Sequence, residues 1–263
     1  MTQHHAELLM YPAPEPVRVA NEQWLARIVE HLGHSRLDAT NLTLPELWLS
    51  PDLLLTQTCG YPLMTALRGR VRVIGRPRYE LPDASGGEHC SLILGRAADP
   101  RYALGDFRHS RGVINSEDSN SGMNLLRQRL APLQENGRFF ARVGISGGHR
   151  ESLRWLRENL ADLAAIDSVT FAYIARHAPD EVCDLRVVAR SALSPTLPFI
   201  TAAGASDAQV GRLLQVMNDS LHELPGVVQT LGLADIQPAT ESDYDVLLDY
   251  QRDAEAQGYG LLR

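Results

Sequence analysis

Short apolar runs alternate along this chain with stretches of helical period, a pattern that predicts α/β layers with mostly parallel strands. Residues 6–10 read as a first strand, stopped by Tyr11-Pro12-Ala13-Pro14. A helix should follow, with Asn21 as its cap and Trp24, Leu25, Ile28, Val29 and Leu32 on one face before Gly33 ends it. Residues 53–55 form a buried strand that runs into Thr56-Gln57-Thr58-Cys59-Gly60-Tyr61-Pro62, and residues 63–67 a short helix. Strands over 71–74 and 91–94 flank a glycine-rich excursion at 84–87.

From Asp106 the same grammar restarts. A strand over 112–115 leads through a polar loop, 116–122, into a helix over 123–133. A strand over 139–143, a loop over 144–148 and a helix over 149–159 follow. The strand 163–166 ends in Asp167-Ser168 and precedes a helix that reaches Arg176. Residues 185–188 and 198–201 read as extended, and everything from Ser206 as helical. Two βα modules with a late return predict two lobes, residues 1–94 with 200–263 and residues 95–199, with a ligand expected between them. No fixed-period repeat or low-complexity tail interrupts this scheme.

Composition narrows the function classes. Across 263 residues, 44% are hydrophobic and 22% charged, the balance of a globular protein. The 25 basic side chains are all arginine, because the chain contains no lysine. Schiff-base chemistry, pyridoxal phosphate enzymes, the P-loop lysine and the kinase strand lysine are therefore excluded. A net charge of −7 with no basic block disfavours nucleic acid as a partner. Cys59, Cys90 and Cys183 show no CxxC pairing, so no disulfide scaffold is expected. His4-His5 and the His31/His34 pair do not match metal-ligand spacing, and no metal or other cofactor is expected. No stretch of about 20 apolar residues predicts a membrane span, and the N-terminus lacks the pattern of a signal peptide. The chain as written reads as cytoplasmic, or as periplasmic if it is a processed form.

Three loops carry candidate chemistry, since ligands in open α/β sheets collect beyond the carboxyl ends of strands. Ser119-Asn120-Ser121-Gly122 precedes a helix, where free backbone N–H groups, hydroxyls and the positive end of the helix dipole suit an anion. The same residues also suit plain helix capping. Ser146-Gly147-Gly148-His149 repeats the arrangement, with His149 in the first turn of the next helix, either as a ligand group or as a surface histidine. The third loop offers Thr58, Gly60 and Tyr61, with Cys59 either a small buried hydrophobe or a nucleophile. Asp167 reads as a helix cap or the partner of a cationic group, and Tyr11 as rim packing or a cleft-closing residue.

Taken together, LLLTQTCGYP at 53–62, NSEDSNSGMN at 115–124, GGHRESLRW at 147–155, DLAAIDSVT at 162–170 and LPFIT at 197–201 resemble the phosphate, phosphite and phosphonate substrate-binding proteins of ABC transporters. The resemblance runs from about Leu8 to Leu221 and rests on the order and spacing of these motifs. It implies the type II periplasmic-binding-protein fold, two lobes closing over a small oxyanionic ligand, for transport or sensing, and ABC membrane subunits as partners. The family's Ser-x-Ser loop carries over to Ser119, Asn120 and Ser121, its tyrosines to Tyr11 and Tyr61, and its histidine to His149. Three departures stand out: Asn120 replaces the threonine of well-known members, Asp167 alone matches the acidic pair of aminophosphonate binders, and the secretory leader is missing. The alternative is an enzyme on the same fold that uses Cys59 and His149, as in relatives of thiamine-pyrimidine synthesis.

Overall fold

A computed structural model describes residues 2–263. The chain forms two compact units, one built from the segment up to Glu88 with Pro195–Tyr244 and the other from His89–Ser194 with Asp245–Arg263. The C-terminal segment thus belongs to the second unit, whereas the sequence reading assigned it to the first. Asn124 Nδ2 donates to the Leu247 carbonyl at 3.0 Å, and Arg127 Nη1 to that of Gly260 at 2.9 Å. An amphipathic stripe announces a helix, here Val246–Ala256, but it does not say which core that helix covers.

In the first unit the sheet runs Val71–Leu81, Phe199–Ala202, Leu53–Gln57, Gln3–Glu7 and Ser35–Arg36. Gln3–Glu7 pairs in parallel with Leu53–Gln57, while Phe199–Ala202 runs antiparallel to both of its neighbours. Leu233–Gln237 adds to Val71–Leu81 as an antiparallel strand inside a region expected to be wholly helical. Its onset is set by Gly232, whose φ of +57° ends the helix Pro225–Leu231. The helix Glu15–His31 starts after Pro14, earlier than a cap at Asn21 would place it. Proline at the first turn costs no hydrogen bond, and Asn21 lies inside the helix, donating to the Tyr11 carbonyl at 3.3 Å. Trp24 is buried edge-to-face against Phe199, with its Nε1 donating to the Met217 carbonyl at 3.2 Å.

In the second unit the order is Leu185–Arg190, Ser91–Arg96, Leu163–Asp167, Arg111–Ile114 and Arg142–Ile145. The last three are parallel to one another, and Ser91–Arg96 is antiparallel to both of its neighbours. The sheets are therefore mixed rather than mostly parallel, because strands next to the crossings return in the opposite sense. Leu92, Leu94, Val113, Ala164 and Ile166 pack with Leu153, Leu156 and Ile174 from the flanking helices to form the core. The chain leaves Ile114, Ile145 and Asp167 at the carboxyl ends of three parallel neighbours, so two loops and the start of the helix Ser168–His177 emerge at one edge of this sheet.

Candidate functional site

The helical run after Arg111–Ile114 begins at Asn120, three residues before the expected start, as a π-type turn over Asn120–Asn124 that continues into Leu125–Leu130. Ser119 is its cap, its Oγ accepting from the Gly122 amide at 3.0 Å. The cap and the candidate site are the same residue, so the two readings of this loop coincide. An Asn120 side chain that accepts from Asn124 Nδ2 and donates to Ser194 Oγ, each at 3.2 Å, is committed to the fold. Arg127 in turn donates to Asn124 Oδ1 at 2.6 Å.

Ser121 Oγ shares a hydrogen bond of 2.9 Å with His149 Nε2, and the Ser121 carbonyl accepts from Ser91 Oγ at 2.8 Å. Gly122 completes the loop by necessity. A Cβ there would stand 1.8 Å from Asn115 Oδ1 and 3.3 Å from His149 Cε1. The loop before His149 turns at Gly147, with φ at +91°, and is tied by Ser146 Oγ, which contacts Ser152 Oγ at 2.7 Å and donates to the Gly148 carbonyl at 3.0 Å. Ser146 thus shapes the loop, leaving His149 as its chemically available group.

Asp167 ends its strand and caps the helix Ser168–His177, accepting from the Thr170 amide at 2.9 Å. Its other oxygen, Oδ2, lies 2.9 Å from Nδ1 of His89 in an ion-pair contact whose N–H is off-line for a hydrogen bond. Both side chains are buried. Burial alone would raise the Asp167 pKa, but His89, His149 and the Thr170 amide outweigh it and hold the carboxyl below its ordinary range. His149 is half-buried with its Nδ1 enclosed. Desolvation moves its pKa down, opposed by Asp167 and reinforced by His89, so the ring is neutral at neutral pH.

Ser119 to Gly122, His149 and Asp167 thus gather in the second unit, whereas Tyr11, Thr58, Gly60 and Tyr61 belong to the first. There, Thr58 is buried, its amide donating to the Pro198 carbonyl at 3.1 Å, and Cys59 precedes the short helix Gly60–Met64. Tyr61 is buried in that helix, and Tyr11 packs edge-to-face on Tyr79 with centroids 6.4 Å apart. Cys59 and His149, the pair of the enzyme alternative, stand in different units. Sequence reasoning missed His89, Ser91 and Asn115. Nothing local marked His89, since its partner Asp167 becomes a neighbour only through the antiparallel pairing of Ser91 with Asp167. Among the described residues no cluster of His, Cys, Asp or Glu has the makings of a metal site.

Two mixed α/β units, with donor-rich loops gathered beyond the strand ends of one of them, define a solute-binding class of protein. The chain belongs to the family of ABC transporter periplasmic phosphonate substrate-binding proteins, whose model matches residues 51–244. No curated protein matches the chain. Among solved structures, it is similar to the binding component of an ABC phosphonate transporter from Pseudomonas aeruginosa, at 14% identity and TM-score 0.78 over 97% of this chain and 89% of that one. PhnD1 of Prochlorococcus marinus in complex with methylphosphonate matches at 11% identity and TM-score 0.74, covering 97% and 98%. The alkanesulfonate-binding protein SsuA of Xanthomonas axonopodis pv. citri, bound to MOPS, matches at 14% and 0.68, covering 98% and 93%. The fold is that of the type II periplasmic binding proteins, as the family resemblance implied. No helix among the described residues is long and apolar enough to cross a membrane.

Proposed function

We propose that this protein binds a small phosphoryl or phosphonyl oxyanion without transforming it, and delivers it in the periplasm to the membrane subunits of an ABC transporter. The observation that carries the reading is the Ser121–His149 hydrogen bond at the head of the Asn120 helical run. The first turn of this run and the hydroxyls of Ser119 and Ser121, the latter held by the His149 ring, supply directional donors of the kind a tetrahedral oxyanion accepts. Membership of the phosphonate-binding family supports the same ligand class. Tyr11, Thr58, Gly60 and Tyr61, which lie in the first unit, are carried in this reading as candidate ligand contacts.

The test is thermal denaturation with phosphate, phosphite, methylphosphonate and methanesulfonate. Ligand at 100 times its dissociation constant stabilises by roughly 2.7 kcal/mol. For a chain of this size that corresponds to a rise of about 5 °C in Tm. Flat melting curves with all four anions at millimolar concentration would overturn the assignment. Loss of the shift in Ser121→Ala, with Tyr11→Phe and Tyr61→Phe assayed alongside, would map the donors.

A further inference from the structure

Of the arginines among the described residues only Arg127, 5% exposed, is buried, and it stands in the second unit without a carboxylate. Its Nη2 donates to Asn124 Oδ1 at 2.6 Å and its Nη1 to the Gly260 carbonyl at 2.9 Å, while its Nε has no partner. Both acceptors are neutral. The buried carboxylates of this unit are met, Asp99 and Asp162 by arginines and Asp167 by His89. A guanidinium keeps its charge when buried, and an unpaired buried charge is costly, so Arg127 calls for a counter-charge that its folded surroundings do not supply. Its position says where that counter-charge belongs. Helical side chains lean toward the N-terminus and Arg127 follows Ser121 by six positions, so its guanidinium stands within about 10 Å of the loop Ser119–Gly122. Hydrogen bonds lead the same way, from Arg127 to Asn124, from Asn124 Nδ2 to Asn120 Oδ1 at 3.2 Å, and from Asn120 Nδ2 to Ser194 Oγ at 3.2 Å. Each amide in this relay turns its oxygen toward the guanidinium and its N–H away, so the aligned dipoles extend the positive potential from Arg127 to Asn120.

Resting on the oxyanion reading above, we propose that Arg127 is a positioning residue that sets ligand charge: relayed by Asn124 and Asn120, its buried guanidinium tunes the loop for a dianion over a monoanion of the same shape, a phosphonate over a sulfonate. Arg127 touches no ligand atom in this scheme. The loop hydroxyls meet the oxygens, which the two ligand classes share, whereas the charge behind the loop acts in proportion to what the ligand carries. In a chain without lysine this is a fixed charge, pinned by Asn124 and by the C-terminal segment at Gly260. A unit charge at about 10 Å, in a surrounding of effective dielectric near 20, changes affinity on the order of tenfold for each charge on the ligand. Acidic groups near the loop do not cancel it. Asp167 is engaged by His89 and the Thr170 amide, and Glu117 and Asp118 are exposed, where water and salt screen them.

The test is isothermal titration with methylphosphonate and methanesulfonate, at a pH where the first is fully dianionic and the second a monoanion, read as the ratio of the two affinities. Arg127→Gln is expected to weaken methylphosphonate by about a hundredfold and methanesulfonate by about tenfold, so the ratio drops about tenfold. Arg127→Lys keeps the charge but not the planar fork, and it should retain most of the ratio even where both affinities fall. A purely structural role would lose the ratio equally in both variants or in neither. Arg129→Gln removes an equal charge from a partly exposed position on the same helix and should leave the ratio within about twofold, since solvent screens that charge. Wild type supplies a readout independent of any variant's folding. Its ratio should rise as pH passes through the second ionisation of methylphosphonate, with methanesulfonate as the reference for the protein's own titration. An unchanged ratio in Arg127→Gln, a ratio lost as fully in Arg127→Lys or Arg129→Gln, or a wild-type ratio that does not rise with pH overturns the inference. Failure of wild type to bind any oxyanion overturns the proposed function instead.

Discussion

Ser121 Oγ and His149 Nε2 are 2.9 Å apart, joining the head of one helical run to the first residue of another. Each residue follows a strand of the same parallel set, so the bond closes the loops into one donor surface. Removing either partner removes the same feature. Ser121→Ala and His149→Asn are each expected to weaken methylphosphonate by about tenfold, the scale of a hydrogen bond to a charged group. The double variant should weaken it by much less than the product of the two. Titration calorimetry on the four-member cycle measures that coupling, and strictly additive losses would mean that the residues act separately.

The ligand-free protein should also respond to pH through His149. Its folded pKa lies below the ordinary imidazole value, so the unfolded chain binds the proton more readily. Stability from this group is therefore full above about pH 6.5 and declines as pH falls through that value. His149→Asn should flatten the slope of Tm against pH between about 7 and 5. Bound oxyanion should reverse the slope, since it stabilises the charged ring, and denaturation scans with and without ligand read both effects.

Gly122 sits where Asn115 Oδ1 leaves no space for a methyl group. Gly122→Ala should cost about 1 to 3 kcal/mol, the usual range for overpacking, and abolish oxyanion binding by displacing the loop. A paired Asn115→Ala substitution removes the clashing oxygen and should recover most of the stability. Chemical denaturation of the single and double variants tests this, and a stable, binding-competent Gly122→Ala protein would show that the loop tolerates the shift.

These residues also mark how far the sequence could be read. Small hydroxylic residues and glycines before a helix are visible in the chain because helix starts need that local chemistry, so the chain at Ser119 and at His149 was legible as two helix heads. Strands such as Leu53–Gln57 and Leu163–Asp167 were legible as apolar runs bounded by polar loops. The strand Leu233–Gln237 was not, since only Leu233 and Ile236 are buried and helices flank it. His89 was invisible for a different reason. Its contact with Asp167 is made by sheet register, and register is a property of pairing that no local pattern encodes. The committed side chain of Asn120 was hidden likewise, in a relay through Asn124 to Arg127.

Asp162 anchors the opposite ends of the strands that carry the site. Its Oδ1 accepts from Arg96 at 2.9 Å and from Arg111 at 2.8 Å, Arg101 lies 3.1 Å from the same oxygen, and Oδ2 accepts from the Arg111 amide and Nε, each at 2.9 Å. Burial would raise this carboxyl's pKa, but the guanidiniums overcome it and hold the group far below the ordinary carboxylate range. A depressed folded pKa means that the contribution is complete above the unfolded value of about 3.9 and disappears as pH falls toward the folded one. Asp162→Asn should therefore cost about 2 to 3 kcal/mol at pH 7, below the loss typical of a broken buried pair because the arginines retain some water contact. The difference between variant and wild type should shrink steadily as pH falls below about 3.9. Denaturant titrations across that range make the comparison, and a constant difference between the two proteins at every pH would show that packing, not charge, is what Asp162 provides.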